Sequence, residues 1–400
     1  MKNVAIINAS DFGSTGKMAL GLFSFLKKNN YSVLFCYCRG NKYKDDDYYR
    51  MTASIGRVVN AFFSKLFGAT GCFSHLETYI LIRKLKRRKV NTIYAFNLHG
   101  YFINETMFFS YLKKNSIRFI YVMIDEYPFR GKCCIDSSCE RYMIGCGNCP
   151  QVHKYPESWF LDRSDFIYKM KERNYHNLSN AVFVAPEFVI NKARVAPLTK
   201  NIELGILDEA INTDFYKPSD YSKLAENLMV DCNKKIIVTT AGSKSEHKGG
   251  RYFIQLAERF SNNEDFVFIH VGNGDAKPSD YPANYIGLGY IASNDDIVKL
   301  LSMADLFVFP SLSDTQSNVC LEALSCGTPL LLFNISGMPY IVNESVGTLV
   351  EPRNVDQLES VVLKVQKKTE EQINTCRRYA LSRFSYNDYA QKLVSIAETT

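Results

Sequence analysis

Apolar runs of four to eight residues recur along the chain, and stretches with helical spacing separate them. The runs at 4–7, 31–38, 92–96, 119–124, 181–185 and 202–207 fall in the first half. Those at 235–241, 266–271, 285–290, 306–309 and 330–333 fall in the second. Short apolar runs closed by Pro, Gly or a polar residue read as strands buried on both faces of a parallel sheet. Amphipathic stretches at 17–28, 165–177, 295–303, 319–325 and 357–384 read as the helices between them. This alternation in both halves predicts an α/β protein with parallel sheets. Four hundred residues suit two domains. We place the first at 1–205 and the second at 206–384, with a linker near 205–220. The tail 385–400 reads as a helix that crosses back to the first domain.

Residues 304–339, ADLFVFPSLSDTQSNVCLEALSCGTPLLLFNISGMP, organise the rest. A strand ends at Pro310, a polar loop follows, and a short helix begins near Asn318 and closes at Gly327 before Pro329. Asn318, Val319 and Cys320 would present backbone N–H groups at the helix start, which favours an anionic phosphate. Asp314 and Glu322 flank that seat. A carboxylate accepts hydrogen bonds from a diol through both oxygens. One carboxylate for a ribose and one for a second sugar suggest a sugar nucleotide.

Other loops at strand ends carry chemistry. Gly13 and Gly16 bracket a turn before a helix and allow close backbone approach. This is neither a P-loop nor the dinucleotide fingerprint. Lys248-Gly249-Gly250 opens a helix, and a cation beside helix N–H groups suits a diphosphate. His99 and Asp125 stand at the ends of two strands in the first half. A turn at 272–275 ends the strand 266–271.

The segment GKCCIDSSCERYMIGCGNCPQ brings Cys133, Cys139, Cys146 and Cys149 within seventeen residues. Four thiolates satisfy a closed tetrahedral zinc site, and Cys-Gly-Asn-Cys makes a good knuckle. We expect a structural zinc in an insert at 131–150, with Cys134 able to replace Cys133.

Charge is divided unevenly. Residues 1–200 hold 30 Lys and Arg against 15 Asp and Glu, and residues 201–400 hold 18 against 26, so the halves carry +15 and −8 within the overall +7. The first half should therefore face something anionic. Residues 56–90 set Phe62, Phe63, Leu66 and Phe67 beside Arg57 and Lys65, and six of the seven residues 83–89 are basic. Such a stretch suits an anionic membrane surface. No apolar run approaches the roughly 20 residues of a membrane span, and no signal peptide pattern opens the chain. We expect a cytoplasmic protein, peripheral on the inner face of the plasma membrane, with thiols rather than disulfides.

The stretch from Asp314 through Glu322 to Ser325-Cys326-Gly327-Thr328-Pro329 resembles the donor-binding signature of glycosyltransferase family 4. There, two Glu residues separated by seven others precede Ala-Cys-Gly-Thr-Pro. The segment 131–165 resembles a subset of that family involved in bacterial surface polysaccharide synthesis. The fold this implies is GT-B, two Rossmann-like domains with parallel sheets facing across a cleft. The function it implies is a retaining hexosyltransferase that needs no metal for catalysis. Its donor is a UDP- or GDP-sugar, and its acceptor a lipid-linked oligosaccharide.

By the same resemblance Glu322 holds the ribose, Asp314 positions the sugar, and Lys248 with the amides near Val319 takes the diphosphate. The backbone near Tyr290 and Ile291 meets the base. The loop with Gly13 and Gly16 reaches toward the donor phosphates and the acceptor. From their places at strand ends we expect His99 and Asp125 to orient the acceptor hydroxyl. The chain departs from the family in four places, one of them at the hinge, where Glu209 and Ala210 stand for Asn-Gly. Asp314 replaces a Glu. Ile124 replaces a His before Asp125. Ser243 replaces an Arg, leaving Lys244 or Arg251 to supply that charge. Rival readings are a nucleotide-sugar epimerase on the same fold and a catalytically weak sugar-nucleotide binder. A nucleic-acid-binding zinc module is disfavoured, because the two carboxylates would have no role in it.

Overall fold

The structure is a computed structural model that describes residues 2–52, 54–134, 139–242, 247–273 and 281–399. The chain divides into two compact units, Met1–Glu209 with Tyr386–Thr400, and Ala210–Ser385.

The sheet of the first unit contains β1 (Asn3–Ser10), β2 (Ser32–Arg39), β3 (Tyr48–Arg50), β4 (Thr92–Ala95), β5 (Arg118–Val122), β6 (Ala181–Ala185) and β7 (Glu203–Ile206). All its pairings are parallel, in the order β3-β2-β1-β4-β5-β6-β7. Its helices are α1 (Gly13–Lys28), α2 (Ser54–Phe67), α3 (His75–Arg87), α4 (Glu105–Lys114), α5 (Ser164–Tyr175) and α6 (Glu187–Val195). The central strands are buried almost throughout. That explains why they read as continuous apolar runs rather than alternating ones.

Helix α1 begins at Gly13, four residues earlier than the pattern at 17–28 suggests. Both glycines therefore lie in its first turn. Gly13 enters with φ +73°, and a Cβ at Gly16 would stand 2.5 Å from the Asp11 carbonyl carbon. Only glycine lets the helix start this close to its strand.

The second unit contains β8 (Lys235–Thr239), β9 (Phe266–Val271), β10 (Tyr285–Leu288), β11 (Leu306–Phe309), β12 (Leu330–Phe333) and β13 (Gly347–Val350). These too pair in parallel, in the order β10-β9-β8-β11-β12-β13. Its helices are α7 (Ser222–Asn227), α8 (Gly250–Arg259), α9 (Asn294–Met303), α10 (Asn318–Ser325), α11 (Val355–Val362) and α12 (Glu370–Phe384). The stretch 357–384 is thus not one helix. Thr369 and Gln372 form a reciprocal capping box that starts a new helix within it. The last helix, α13 (Tyr386–Glu398), belongs to the first unit. The Tyr386 ring covers Gly21 of α1, and Arg118 of β5 donates to the Ile396 carbonyl at 2.8 Å.

Strand order reverses between β1 and β4 in the first unit and between β8 and β11 in the second. Loops beyond the carboxyl ends of strands at such reversals are where open parallel sheets bind ligands.

Candidate functional site

In the second unit the loop leaving β11 is held along its backbone. The Leu312 N–H and the Ser311 hydroxyl both donate to the His247 carbonyl, at 2.7 and 3.1 Å. A Cβ at Gly249, φ +72°, would lie 1.8 Å from the Pro310 carbonyl oxygen. A Cβ at Gly337 would lie 1.5 Å from that of Thr315, and the Gly337 N–H donates to the Asp314 carbonyl at 2.9 Å. Two glycines from distant segments therefore fix the path that carries Asp314.

That path brings Asp314 to Lys248, which comes from the loop after β8. The Lys248 ammonium donates to Asp314 Oδ2 at 2.6 Å and lies 5.5 Å from the Phe309 ring centre. Asp314 is 17% exposed. Helix α10 opens just beyond. Its N-cap, Ser317, has extended backbone and makes no capping hydrogen bond through its side chain. The first-turn N–H groups, at Asn318 and Val319, are thus left to another acceptor. The Asn318 side-chain oxygen is buried and has no hydrogen-bond partner among the described residues.

Glu322 lies one turn into α10, half-buried. The buried Cys320 thiol reports this neighbourhood. Burial pushes its pKa well up, and Asp314, Lys248 and Glu322 all act on it electrostatically. The structure therefore gathers Lys248, Asp314, Asn318, Val319 and Glu322 around one helix start. Positive charge and N–H dipoles converge there, with a carboxylate on each side. Such an arrangement can hold an anion that carries hydroxyl-rich groups.

Tyr290 follows β10, and its side chain is 90% exposed; Ile291 packs partly against the core. The strand ends nearby are tied together by a chain of side chains. Asn273 donates to the Tyr285 hydroxyl at 2.7 Å, which in turn meets His270 at 2.7 Å. His270 reaches the Ala241 carbonyl at 2.5 Å. Gly274 and Asp275 of the turn at 272–275 lie outside the described residues, as do Ser243 and Lys244. Arg251 donates to its neighbour, the Tyr252 hydroxyl, at 2.7 Å and lies over that ring.

In the first unit His99 and Asp125 meet. His99 Nε2 lies 2.7 Å from Asp125 Oδ2, and its Nδ1 lies 3.0 Å from the Tyr155 hydroxyl. With Nε2–H donating to the carboxylate, Nδ1 is left to accept from the tyrosine. The Tyr127 N–H holds the other carboxylate oxygen at 3.0 Å. The Tyr127 hydroxyl donates to the fully buried Glu105. Lys171, also fully buried, donates to the Tyr127 and Arg130 carbonyls at 2.5 and 3.0 Å. Burial pushes the Glu105 carboxyl up and the Lys171 ammonium down, and the charge of each partner opposes the shift.

Sequence reasoning did not find Tyr155, Glu105 or Lys171. Glu105 reads as an ordinary first-turn acid behind the N-cap Asn104, and Tyr155 lies thirty residues beyond Asp125. A buried carboxylate also sits beside Gly13 and Gly16. Asp11 Oδ2 accepts from the Asn41 N–H and the Tyr43 hydroxyl, both at 2.9 Å.

All twelve cysteines stand as thiols. Cys133, Cys139, Cys146 and Cys149 line one cavity of about 10 Å³. Cys134 does not stand in for Cys133. It turns the other way, is buried, and its thiol lies with His99 and Asp125. Among the described residues, the group of metal-type ligand atoms all within 4.8 Å of one another is His99, Asp125 and Cys134, not the four cysteines.

Residues 234–368 match the family described as glycosyl transferases group 1. The matched stretch falls wholly within the second unit. A relative from Escherichia coli, a UDP-Gal:alpha-D-GlcNAc-diphosphoundecaprenol alpha-1,3-galactosyltransferase, is 26% identical over 194 residues, 45% of this chain and 48% of that protein. One from Campylobacter jejuni, an N,N'-diacetylbacillosaminyl-diphospho-undecaprenol alpha-1,3-N-acetylgalactosaminyltransferase, is 27% identical over 167 residues, 41% and 43% of the two chains. The chain thus spans about half the length of these curated relatives.

Among solved structures, a glycosyltransferase from Rickettsia africae aligns with a TM-score of 0.69 at 14% identity, over 99% of this chain and 98% of its own. Anabaena HepE in complex with UDP-glucose aligns with a TM-score of 0.65 at 14% identity over all of both chains. At these identities the likeness carries the fold alone, which is that of the GT-B glycosyltransferases. The stretch matched by that family includes Lys248, Tyr290, Ile291, Asp314, Asn318, Val319 and Glu322.

Proposed function

We propose that the chain transfers a hexose from a nucleotide-sugar to a saccharide on a lipid carrier, with retention of configuration, in the synthesis of a surface polysaccharide. The observation that carries this is the start of α10, where the Ser317 side chain makes no capping hydrogen bond, with Lys248 and Asp314 beside it and Glu322 one turn in. The donor diphosphate takes the first-turn N–H groups of α10 and the Lys248 ammonium. Negative charge grows on the departing diphosphate oxygen as the sugar bond breaks, and these groups stabilise it. Binding draws Lys248 toward phosphate and leaves Asp314 free to accept from the sugar hydroxyls. Glu322 accepts from the ribose diol, and the backbone at Tyr290 and Ile291 meets the base. We assign His99 and Asp125 to the acceptor hydroxyl, with Tyr155 fixing the imidazole. None of these roles calls for a metal ion at the donor.

A thermal-shift panel of UDP- and GDP-sugars tests the donor assignment, because a bound donor stabilises by mass action. At 100 times its Kd the right donor contributes about 2.7 kcal/mol. A panel in which no sugar nucleotide raises the midpoint contradicts the proposal. Product formation with and without a lipid-linked acceptor then separates transfer from epimerisation.

We further propose that α2 and α3 rest on an anionic membrane. No helix among the described residues is long and apolar enough to cross one. Ile55, Val58, Val59, Phe62, Phe63 and Phe67 are exposed along α2, and Leu76, Tyr79 and Ile80 along α3. Trp159 extends the patch, edge-on to Phe62, and Phe160 beside it is exposed. Exposed apolar surface of this extent on one side of a unit marks an interaction site. Arg57 and Arg83 supply the charge that anionic headgroups would meet, whereas Lys65 is ion-paired with Glu157. The protein is expected to sediment with vesicles that contain phosphatidylglycerol and to stay in solution with purely zwitterionic ones. The double variant F62S/F63S should abolish most of that binding. Equal sedimentation of both proteins with both vesicles would remove the surface from the account.

A further inference from the structure

We propose that Cys133, Cys139, Cys146 and Cys149 bind one zinc ion that knots the insert onto the first unit. The four side chains come from two arms of one loop, yet all line a single cavity of about 10 Å³. That is the volume of about one small sphere, so the cavity has room for an ion and little else. A tetrathiolate site closes when each sulfur stands about 2.3 Å from zinc. The four sulfurs do not all lie within 4.8 Å of one another, so binding would draw them inward.

The backbone supports the assignment. Gly145, Cys146, Gly147 and Asn148 all have positive φ, at 106°, 61°, 97° and 47°. Four consecutive left-handed residues, two of them not glycine, persist only where surrounding structure enforces them. Three backbone hydrogen bonds enforce them here. The Cys146 N–H donates to Arg141, the Gly147 N–H to Ser164 Oγ at 3.0 Å, and the Cys149 N–H to Asp162 at 2.5 Å. Their effect is to turn the thiols of Cys146 and Cys149 toward those of Cys133 and Cys139. Arg130, Lys132 and Arg141 line the same cavity. Zinc with four thiolates carries a net charge of −2, and these cations oppose it. Each thiol that binds gives up its proton to solvent.

The consequence reaches the acceptor side. Cys133 is joined to Cys134, whose thiol lies with His99 and Asp125. A metal knot at Cys133 would hold that neighbour, and the segment bearing Tyr155, in place.

The test is the metal content of the full chain purified from zinc-supplemented cells, measured by elemental analysis. We expect one zinc per chain, replaceable by cobalt with the absorption of a tetrahedral thiolate complex. Cys149→Ser should lower the content at least fivefold, whereas Cys146→His keeps four ligands and should keep the ion. Cys134→Ser should leave the zinc in place. Loss of zinc in Cys134→Ser but not in Cys149→Ser would move the metal to His99 and Asp125 and overturn the proposal. So would a folded wild-type chain that holds no zinc and takes up none when Zn²⁺ is added under reducing conditions. These readouts are independent of the donor assignment, since they require no sugar nucleotide.

Discussion

Lys248→Met is expected to lower kcat about 10²–10³-fold, with a smaller change in KM. Removing one group that stabilises developing negative charge costs about that much, or roughly 2.7–4 kcal/mol. Methionine keeps most of the length and the apolar stem but not the ammonium that lies over the Phe309 ring, so the loss falls on the charge. The variant also frees Asp314, whose oxygen now meets the ammonium at 2.6 Å. Without the cation that carboxylate faces the phosphates directly and repels them, which places the effect toward the upper end. Initial rates of nucleotide release with a lipid-linked acceptor measure it. A variant that turns over at more than a tenth of the wild-type rate would mean that Lys248 does not touch the leaving group.

Glu322→Ala is expected to lower kcat/KM by about two orders of magnitude or more. Hydrogen bonds to a charged group contribute about 1.5–3 kcal/mol each, and a diol offers two. The loss should be specific to the sugar of the nucleotide. Wild type is expected to discriminate strongly against a 2′-deoxyribonucleotide donor, and Glu322→Ala should lose most of that discrimination. A variant that is slow yet still discriminates would assign the ribose to another residue.

Much of this is legible in the sequence alone. β11 and β12 are four-residue apolar runs closed by Pro310 and by a polar stretch, and strands buried on both faces carry that mark wherever they occur. The parallel α/β class followed from it. Asp314 and Glu322 stood out because a local motif holds both, and the structure gathers them with Lys248 at one helix start.

What was not legible is long-range. His99 gains its meaning from Asp125 and Tyr155, which arrive from separate loops. The opposed buried charges of Glu105 and Lys171 are 66 positions apart and carry no local sign. Helix α1 begins early because Gly16 tolerates the Asp11 backbone, a contact that periodicity cannot register. The break between α11 and α12 was local, and the Thr369–Gln372 capping box was its readable signal.

The central claim is that a nucleoside diphosphate sits at the start of α10 against Lys248. Calorimetric titration of UDP and of GDP into the wild-type chain and into Lys248→Met tests it most directly. The account predicts saturable one-site binding of one of the two nucleotides to wild type, weakened at least about tenfold, or 1.4 kcal/mol, in the variant. Binding of equal strength in both proteins, or binding of neither nucleotide to wild type, would contradict it.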